Sequence, residues 1–526
     1  MAAVTGPNSE GSEIAEFYDS RCVLITGATG FMGKVLVEKL LRSCPGIQTI
    51  FLLMRAKSGA DVRTRLHDLV SAKLFDRIRG EYPGILSKLV PVNGDITQPG
   101  LGLSPEDEQM LIDRVSVVFH AAATVKFDEA LKMSVNMNVH GTKRLVSLCH
   151  KMNKLACLVH VSTAYCNCDR EEVLETVYPP PMEPNHLIPA MEWMDEALIR
   201  DITPRLVGNR PNTYTYTKAL AEHSLITECG NLPTAIVRPS IVTAAWREPV
   251  PGWVDNLNGP TGLLVGAGKG VLRTILCYRE KRADLVPVDI PINLMIAVAW
   301  YTATRRPGKV LVFNCTSGEF NPIRWGDIET WGHTIIHKYP FNDVLWYPSG
   351  AFKTSKTLNN IYGYFLHYLP AYVLDGIALV SGKKPVMLRI QRKMTRAMDA
   401  LEYFTTREWL FKSENVPMLL QQLNPVDRDR FNFDIRGLNW YLYLQSYILG
   451  TRQFVLKEDL SSLPRARRHL RKLYWLRILV HTVLVMVVLR FLLMRSDTVR
   501  HMILKSIHSQ PQADPKTTPI VTLFDY

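Results

Sequence analysis

Short apolar runs alternate with helix-period segments through the first half of the chain. Residues 22–25, 49–54, 89–93, 115–120 and 155–162 are continuous apolar runs of strand length. Between them, notably over 34–41 and 138–150, apolar residues return at three- and four-residue spacing, the period of a helix packed on one face. Strand and helix in strict alternation predict an α/β fold built on a doubly wound parallel sheet. In such a sheet ligands bind at the carboxyl ends of the strands, which here carry Asp95, Ala121 to Ala123, Ser162 and Thr163.

The turn after the first run reads Thr26-Gly-Ala-Thr-Gly-Phe-Met-Gly33. Gly27 and Gly30 allow positive φ and close approach of backbone to a ligand, and Gly33 allows the following helix to pack against the strand. The helix N-terminus can then hold a pyrophosphate, with Thr29, Phe31 and Met32 lining the same cradle and Ala121 facing it. The second strand ends at Arg55 rather than at an acid that would grip the ribose 2′-hydroxyl of NAD. Arg55 and Lys57 offer two cations to a 2′-phosphate, which favours NADPH. Asp95 either lines this cofactor site or caps a turn.

Chemistry is suggested by Tyr214-Thr-Tyr-Thr-Lys218. Residues four apart share a helix face, so Lys218 lies beside the phenol of Tyr214 and the bound ribose. An ammonium there favours the phenolate, and Thr163 adds a hydroxyl to the same reacting oxygen.

These residues resemble the extended short-chain dehydrogenase/reductases: TGATGFMG, HAAATV at 120–125, NVHGT at 138–142, VSTAY at 161–165, YTYTK at 214–218 and RPS at 238–240. More narrowly, PGWVDNLNGPTGLLVGAGKG at 251–270 and VPVD at 286–289 are similar to segments of the alcohol-forming fatty acyl-CoA reductases. The resemblance implies Tyr214 and Lys218 as catalytic pair, Thr163 as hydroxyl partner, and Gly27, Gly30, Gly33 and Arg55 as NADPH contacts. It further implies a helical "sterile" domain, a membrane segment, and reduction of a long-chain acyl-CoA to fatty alcohol with release of CoA. About fifty residues separate Ser162-Thr163 from Tyr214, a long interval that leaves open which hydroxyl faces the substrate. This insertion, 166–212, is rich in proline and apolar residues and is expected to wall an acyl channel.

The net charge of +13 is unevenly placed, about +12 of it after residue 380. A nearly neutral catalytic half argues against nucleic acid, and a basic C-terminal region suits anionic membrane lipid. Lys269, in a glycine-rich stretch, is a candidate contact for CoA phosphates. No metal is expected: Cys166-Asn-Cys168 lacks a second pair, and His333 with His337 lacks the glutamate of a zincin.

The expected order is a flexible N-terminus (1–20), a reductase domain (21–348), a smaller helical domain (351–460), a membrane helix (473–494) and a tail (495–526). As a helix the span measures roughly 33 Å, enough for a bilayer core. RARRHLRK at 465–472 keeps the N-terminal side cytosolic by the positive-inside rule. With residues 1–20 lacking the apolar core of a signal peptide, a tail anchor is expected, in the peroxisomal membrane or else the endoplasmic reticulum. An earlier apolar run, 362–380, contains Pro370 and Asp375 and reads as a buried or membrane-touching helical hairpin, not a span.

Overall fold

The computed structural model describes residues 11–495 except Ser58; the tail residues from 496 onward, including Arg500, His501 and Lys505, lie outside it. Strands β1 (Cys22–Thr26), β2 (Thr49–Met54), β3 (Leu89–Asn93), β4 (Val115–His120), β5 (Cys157–Val161), β7 (Thr234–Pro239) and β8 (Leu311–Cys315) form one sheet in the order β8-β7-β5-β4-β1-β2-β3. Every pairing is parallel. Six of these strands are buried along their whole length, because helices cover both faces, and they are predominantly apolar, with Arg238 of β7 and Asn314 of β8 buried among them. β3 is the exception: it is an edge strand, and it tolerates Pro91, which has no amide to give to a ladder. The doubly wound parallel sheet expected from the sequence is thus the fold.

The strand order reverses between β1 and β4, which opens the crevice where such sheets bind ligands. Helix α2 (Phe31–Ser43) follows β1, and α3 (Val62–Ser71) follows β2. The helical segment expected over 138–150 is a π-helical turn, Val135–His140, running into a helix over Gly141–Lys151. Helix α4 (Thr213–Glu228), capped by Asn212, carries the Tyr214-to-Lys218 segment, and α5 (Asp289–Arg305) is buried almost throughout.

The N-terminus departs from expectation. Residues Glu13–Tyr18 form helix α1, capped by Ser12, with Ile14, Ala15 and Tyr18 fully buried. Ser12 Oγ donates to Asp427 Oδ1 at 2.5 Å, and Tyr18 donates its hydroxyl proton to the Ile296 carbonyl at 3.1 Å. A flexible segment up to residue 20 is therefore corrected from Ser12 onward, since three apolar side chains find a place in the core.

The C-terminal helices α6 (Lys356–Gly363), α7 (Leu369–Val380), α8 (Met387–Thr405) and α9 (Asn415–Gln422) are woven into the reductase part, and residues up to Arg467 make one compact unit. Strand β6 (Glu172–Val173), from the insertion, pairs with β9 (Leu410–Phe411). The carboxylate of Glu175 accepts the amides of Asn314, Glu414 and Asn415. Asn314, in a sequon by sequence, is fully buried and donates to the carbonyls of Val173 and Lys412. The expected boundary at 348–351 is accordingly no physical break. The residues from Arg468 form a second unit, dominated by α10 (Leu463–Arg495), the one helix among the described residues long and apolar enough to cross a membrane.

Candidate active site

The turn between β1 and α2 is a tight backbone cradle. Gly27 has φ +78°, and a Cβ there would sit 2.7 Å from the Ala122 amide nitrogen. At Gly33 a Cβ would lie 2.2 Å from the Gly27 carbonyl oxygen, so only glycine allows α2 to approach the strand this closely. Gly30 caps α2 without any side-chain hydrogen bond. The first-turn amides of Phe31, Met32 and Gly33 consequently have no side-chain cap, the arrangement that suits an anion. A nicotinamide dinucleotide fits such a cradle by its pyrophosphate. The Phe31 ring stacks on Trp253 with centroids 5.4 Å apart, and Lys34 pairs with Asp255 at 2.8 Å, which brings the 251–270 segment beside the cradle.

Arg55 and Lys57 are exposed at the end of β2. Arg55 lies 3.7 Å from Asp95, whose Oδ1 accepts the amide and hydroxyl of Thr97 at 2.9 and 2.8 Å. Asp95 therefore closes a turn, and its other carboxylate oxygen faces Arg55. Sequence reading missed Arg65 of α3, which donates to the Arg55 carbonyl and, at 3.3 Å, to the Thr29 hydroxyl. Nothing local marks it out, because an arginine one turn into a helix is an ordinary surface residue until the fold returns it to the glycine turn.

At the carboxyl end of β5, Thr163 caps the short helical turn Ala164–Asn167 and accepts the Tyr165 amide at 3.3 Å. Burial, the larger effect, pushes the Tyr214 phenol up to about 12, while the nearby Thr163 hydroxyl, which donates to the Pro239 carbonyl at 3.4 Å, pulls it down. Lys218 is buried and donates to the Val161 carbonyl at 2.8 Å. Burial lowers its ammonium to about 8. The lysine charge holds two neighbouring imidazoles down. Burial and then Lys218 push His120 to about 3 and His160 well below the usual range. His120 bonds the Thr26 hydroxyl at 2.7 Å and the Thr142 hydroxyl at 3.1 Å, which ties β4 to β1.

The walls near Tyr214 come from distant parts of the chain. Phe127 stacks on Tyr214 at 6.0 Å and lies 5.6 Å from Phe404 at the end of α8. Tyr165, Phe404, Trp409 and Phe411 complete an aromatic cluster with Val173 of the insertion. The helical half of the insertion does something else. Leu187, Met191 and Ile199 pack against Tyr216 and Leu220, which project from α4 on the side away from Tyr214 and Lys218. Lys269, a sequence candidate for CoA phosphates, is instead engaged by Glu458 at 2.9 Å and by the Asn342 carbonyl.

Comparison with known proteins agrees with this geometry. The NAD-binding profile of the male sterility protein family matches residues 25–295, and its sterile profile matches 366–458. The chain is 45% identical over 488 residues to fatty acyl-CoA reductase 1 of Rattus norvegicus, covering 93% of this chain and 95% of that protein. It is 43% identical to fatty acyl-CoA reductase 2 of Mus musculus over 490 residues, with the same coverage. Among solved structures, the reductase domain of a non-ribosomal peptide synthetase from Mycobacterium tuberculosis shares the fold, with TM-score 0.55 and 18% identity over 85% of this chain and 96% of that one. Glycine cradle and NAD-binding profile together assign a nicotinamide cofactor. With relatives matched over nearly their full length, the chain belongs to the fatty acyl-CoA reductase family of oxidoreductases.

Proposed function

We propose that this enzyme reduces long-chain acyl-CoA to fatty alcohol with NADPH, and that Thr163, Tyr214 and Lys218 are its catalytic residues. The observation that carries the reading is the placement of Thr163 at the carboxyl end of β5, near the Tyr214 phenol, on the crevice that also holds the glycine cradle. Bound NADPH supplies hydride to the acyl carbon. The Tyr214 hydroxyl donates the proton that the developing oxyanion needs, and the Thr163 hydroxyl donates a second hydrogen bond to it. Lys218, fixed by the Val161 carbonyl, has further N–H donors for the ribose hydroxyls. Loss of CoA thiolate from the hemithioacetal leaves an aldehyde, and Tyr214 again donates the proton when hydride from a second NADPH converts it to the alcohol. The aromatic cluster around Phe127 and Phe404 excludes water from this chemistry.

Phosphate recognition extends the cradle: Gly27, Thr29, Gly30, Phe31, Met32, Gly33 and Ala121 take the pyrophosphate region, and Arg55, Lys57 and Arg65 take the 2′-phosphate, with Asp95 orienting Arg55. Helix α10 anchors the enzyme to a membrane, and the basic residues in sequence beyond the span favour the peroxisomal one over the endoplasmic reticulum. The deciding experiment is incubation of the detergent-solubilised full chain with acyl-CoAs of graded length and either NADPH or NADH, with products resolved by mass. Fatty alcohol formed with NADPH supports the reading; accumulation of free aldehyde that is not reduced further overturns the two-step scheme.

A further inference from the structure

Residues 357–382 contain no charged side chain except Asp375, and the structure explains why that one is tolerated. Asp375 is buried and accepts the amides of Val386, Met387 and Leu388 at 2.8 to 2.9 Å, so it caps α8 and closes a hairpin between α7 and α8. The same face of the segment is fastened elsewhere. His367 accepts the Arg273 amide at 2.8 Å, Ala371 is buried, and Tyr368 donates to Thr395 at 3.0 Å. Positions 367, 371 and 375 keep the helical four-residue step, which leaves the remaining circumference unpartnered.

That circumference is almost wholly apolar. Phe365 and Ile377 are each 57% exposed, Leu379 63% and Val380 92%, with Ile361, Tyr372, Val373 and Leu374 exposed beside them. An uninterrupted apolar surface of this kind on a water-facing helix signals an interaction site. The next stretch of chain selects the partner. From 383 to 398 there are six cations, Lys383, Lys384, Arg389, Arg392, Lys393 and Arg396, and no acid. None of the six joins a salt bridge among the described residues. An apolar helix face flanked by unpaired cations is the pattern that seats in the headgroup and upper acyl region of an anionic bilayer.

We infer that residues 361–396 form a lipid-docking surface, distinct in sequence from the α10 span, that lies on an anionic bilayer. Helix α8 then gives the surface a purpose. It begins among the cations and, roughly 28 Å along its axis, ends at Phe404 in the aromatic cluster beside Tyr214. A long-chain substrate that partitions into a bilayer would meet the enzyme at the end of an element that reaches the reacting centre. This purpose rests on the acyl-CoA reading, whereas the docking itself does not.

The test uses the full chain reconstituted in phosphatidylcholine vesicles with or without phosphatidylserine. Single cysteines are introduced by Phe365→Cys, Val373→Cys, Ile377→Cys and Val380→Cys and labelled with an environment-sensitive fluorophore, with Asp201→Cys as an exposed control. All nine native cysteines are buried and do not compete for the label. The four hairpin labels should be quenched by nitroxide-bearing lipids, more strongly with phosphatidylserine, and the label at 201 should not. Replacing Lys383, Lys384 and Arg389 by Gln should lower the docked-to-undocked ratio about fivefold per cation in the anionic vesicles. Hairpin labels that stay as unquenched as the control overturn the proposal. So does self-quenching between labels on two copies without quenching by lipid, which would make this face a dimer contact. The readout involves no turnover, so its failure is separable from a failure of the reductase assignment.

Discussion

Glu222 and Arg238 form a two-pronged ion pair in the interior, Arg238 Nε to Glu222 Oε1 at 2.8 Å and Nη2 to Oε2 at 2.5 Å, with both side chains essentially excluded from solvent. The guanidinium also donates to the carbonyls of Leu174 and Thr176 at 3.0 and 2.8 Å, and Cys166 directs its thiol at Glu222 Oε1. One residue of α4 and one of β7 thus clamp the start of the insertion against these two elements. Removing the arginine alone strands a buried carboxylate, so Arg238→Met should destabilise the fold by about 3–5 kcal/mol. Denaturant titration measures it. A loss below about 1 kcal/mol would mean that the pair is far better hydrated than its burial implies.

The glycines of the cradle separate fold from binding. A methyl at Gly33 meets the Gly27 carbonyl oxygen at 2.2 Å and the Ala28 Cα at 2.7 Å, both backbone atoms that cannot step aside. At Gly30 it meets only the Gly27 carbonyl oxygen, at 3.2 Å. Gly33→Ala should therefore lower the melting temperature sharply, whereas Gly30→Ala should leave it nearly unchanged and weaken NADPH binding by crowding the pyrophosphate. Equal melting temperatures for the two variants would defeat the argument.

How much the sequence made legible depends on range. The strands β2 and β4 fall where the apolar runs put them, because a strand buried on both faces needs no partner to announce itself, and the edge strand β3 falls where its run puts it too. The glycine turn and the Tyr214–Lys218 step were legible for a similar reason: each is encoded within one turn of chain. Phe127 and Phe404 were not. They are 277 residues apart in sequence yet 5.6 Å apart in space, and each reads locally as core. Asp375 marked the apolar run as a hairpin and not a span, but its capping role was not legible, since the amides of 386–388 that it accepts lie beyond the run. The helical half of the insertion was expected to wall the site. It packs behind α4 because Tyr216, two residues on from Tyr214, necessarily points the other way.

Cofactor preference tests the cluster at the end of β2. Arg55 faces the Asp95 carboxylate at 3.7 Å, while Arg65 meets only a carbonyl and a hydroxyl among its described hydrogen bonds. Both Arg55→Ala and Arg65→Ala should weaken NADPH more than NADH, each by about 1.5–3 kcal/mol, the worth of a hydrogen bond to a charged group. Binding is followed by nucleotide fluorescence. If either variant weakens both cofactors alike, that arginine does not read the 2′-phosphate.

Lys218 couples stability to pH with a definite sign. Its folded value of about 8 lies below the ordinary lysine value of 10.5, so between these the unfolded chain holds a proton that the folded one has released. Stability from this group therefore rises with pH across that window, and below about pH 8 the full cost of burying the ammonium, roughly 3 kcal/mol, is present. Activity should run the other way: kcat/KM for reduction falls as pH rises through about 8, where the charge that holds the ribose is lost. Lys218→Met should abolish the stability slope. A slope that persists in that variant would assign it to another group.

Tyr214 carries the last expectation. With its phenol pushed up to about 12, it is protonated near neutral pH, and it is therefore ready to donate rather than to accept when the substrate is reduced. Tyr214→Phe keeps the ring that stacks on Phe127 and removes only the hydroxyl. Turnover of acyl-CoA should fall by about 10²–10⁴, the range for loss of a positioned acid, with NADPH affinity and melting temperature unchanged. Thr163→Val removes the hydroxyl that lowers the phenol, so it should cost about 10²–10³ as one oxyanion donor does. Because the two hydroxyls serve one oxygen, the double variant should lose less than the product of the two single losses. Single-turnover rates with saturating NADPH measure all three. Strict multiplicativity would show that Thr163 and Tyr214 act on different atoms, and loss of NADPH binding in Tyr214→Phe would make the tyrosine a cofactor ligand instead of the acid.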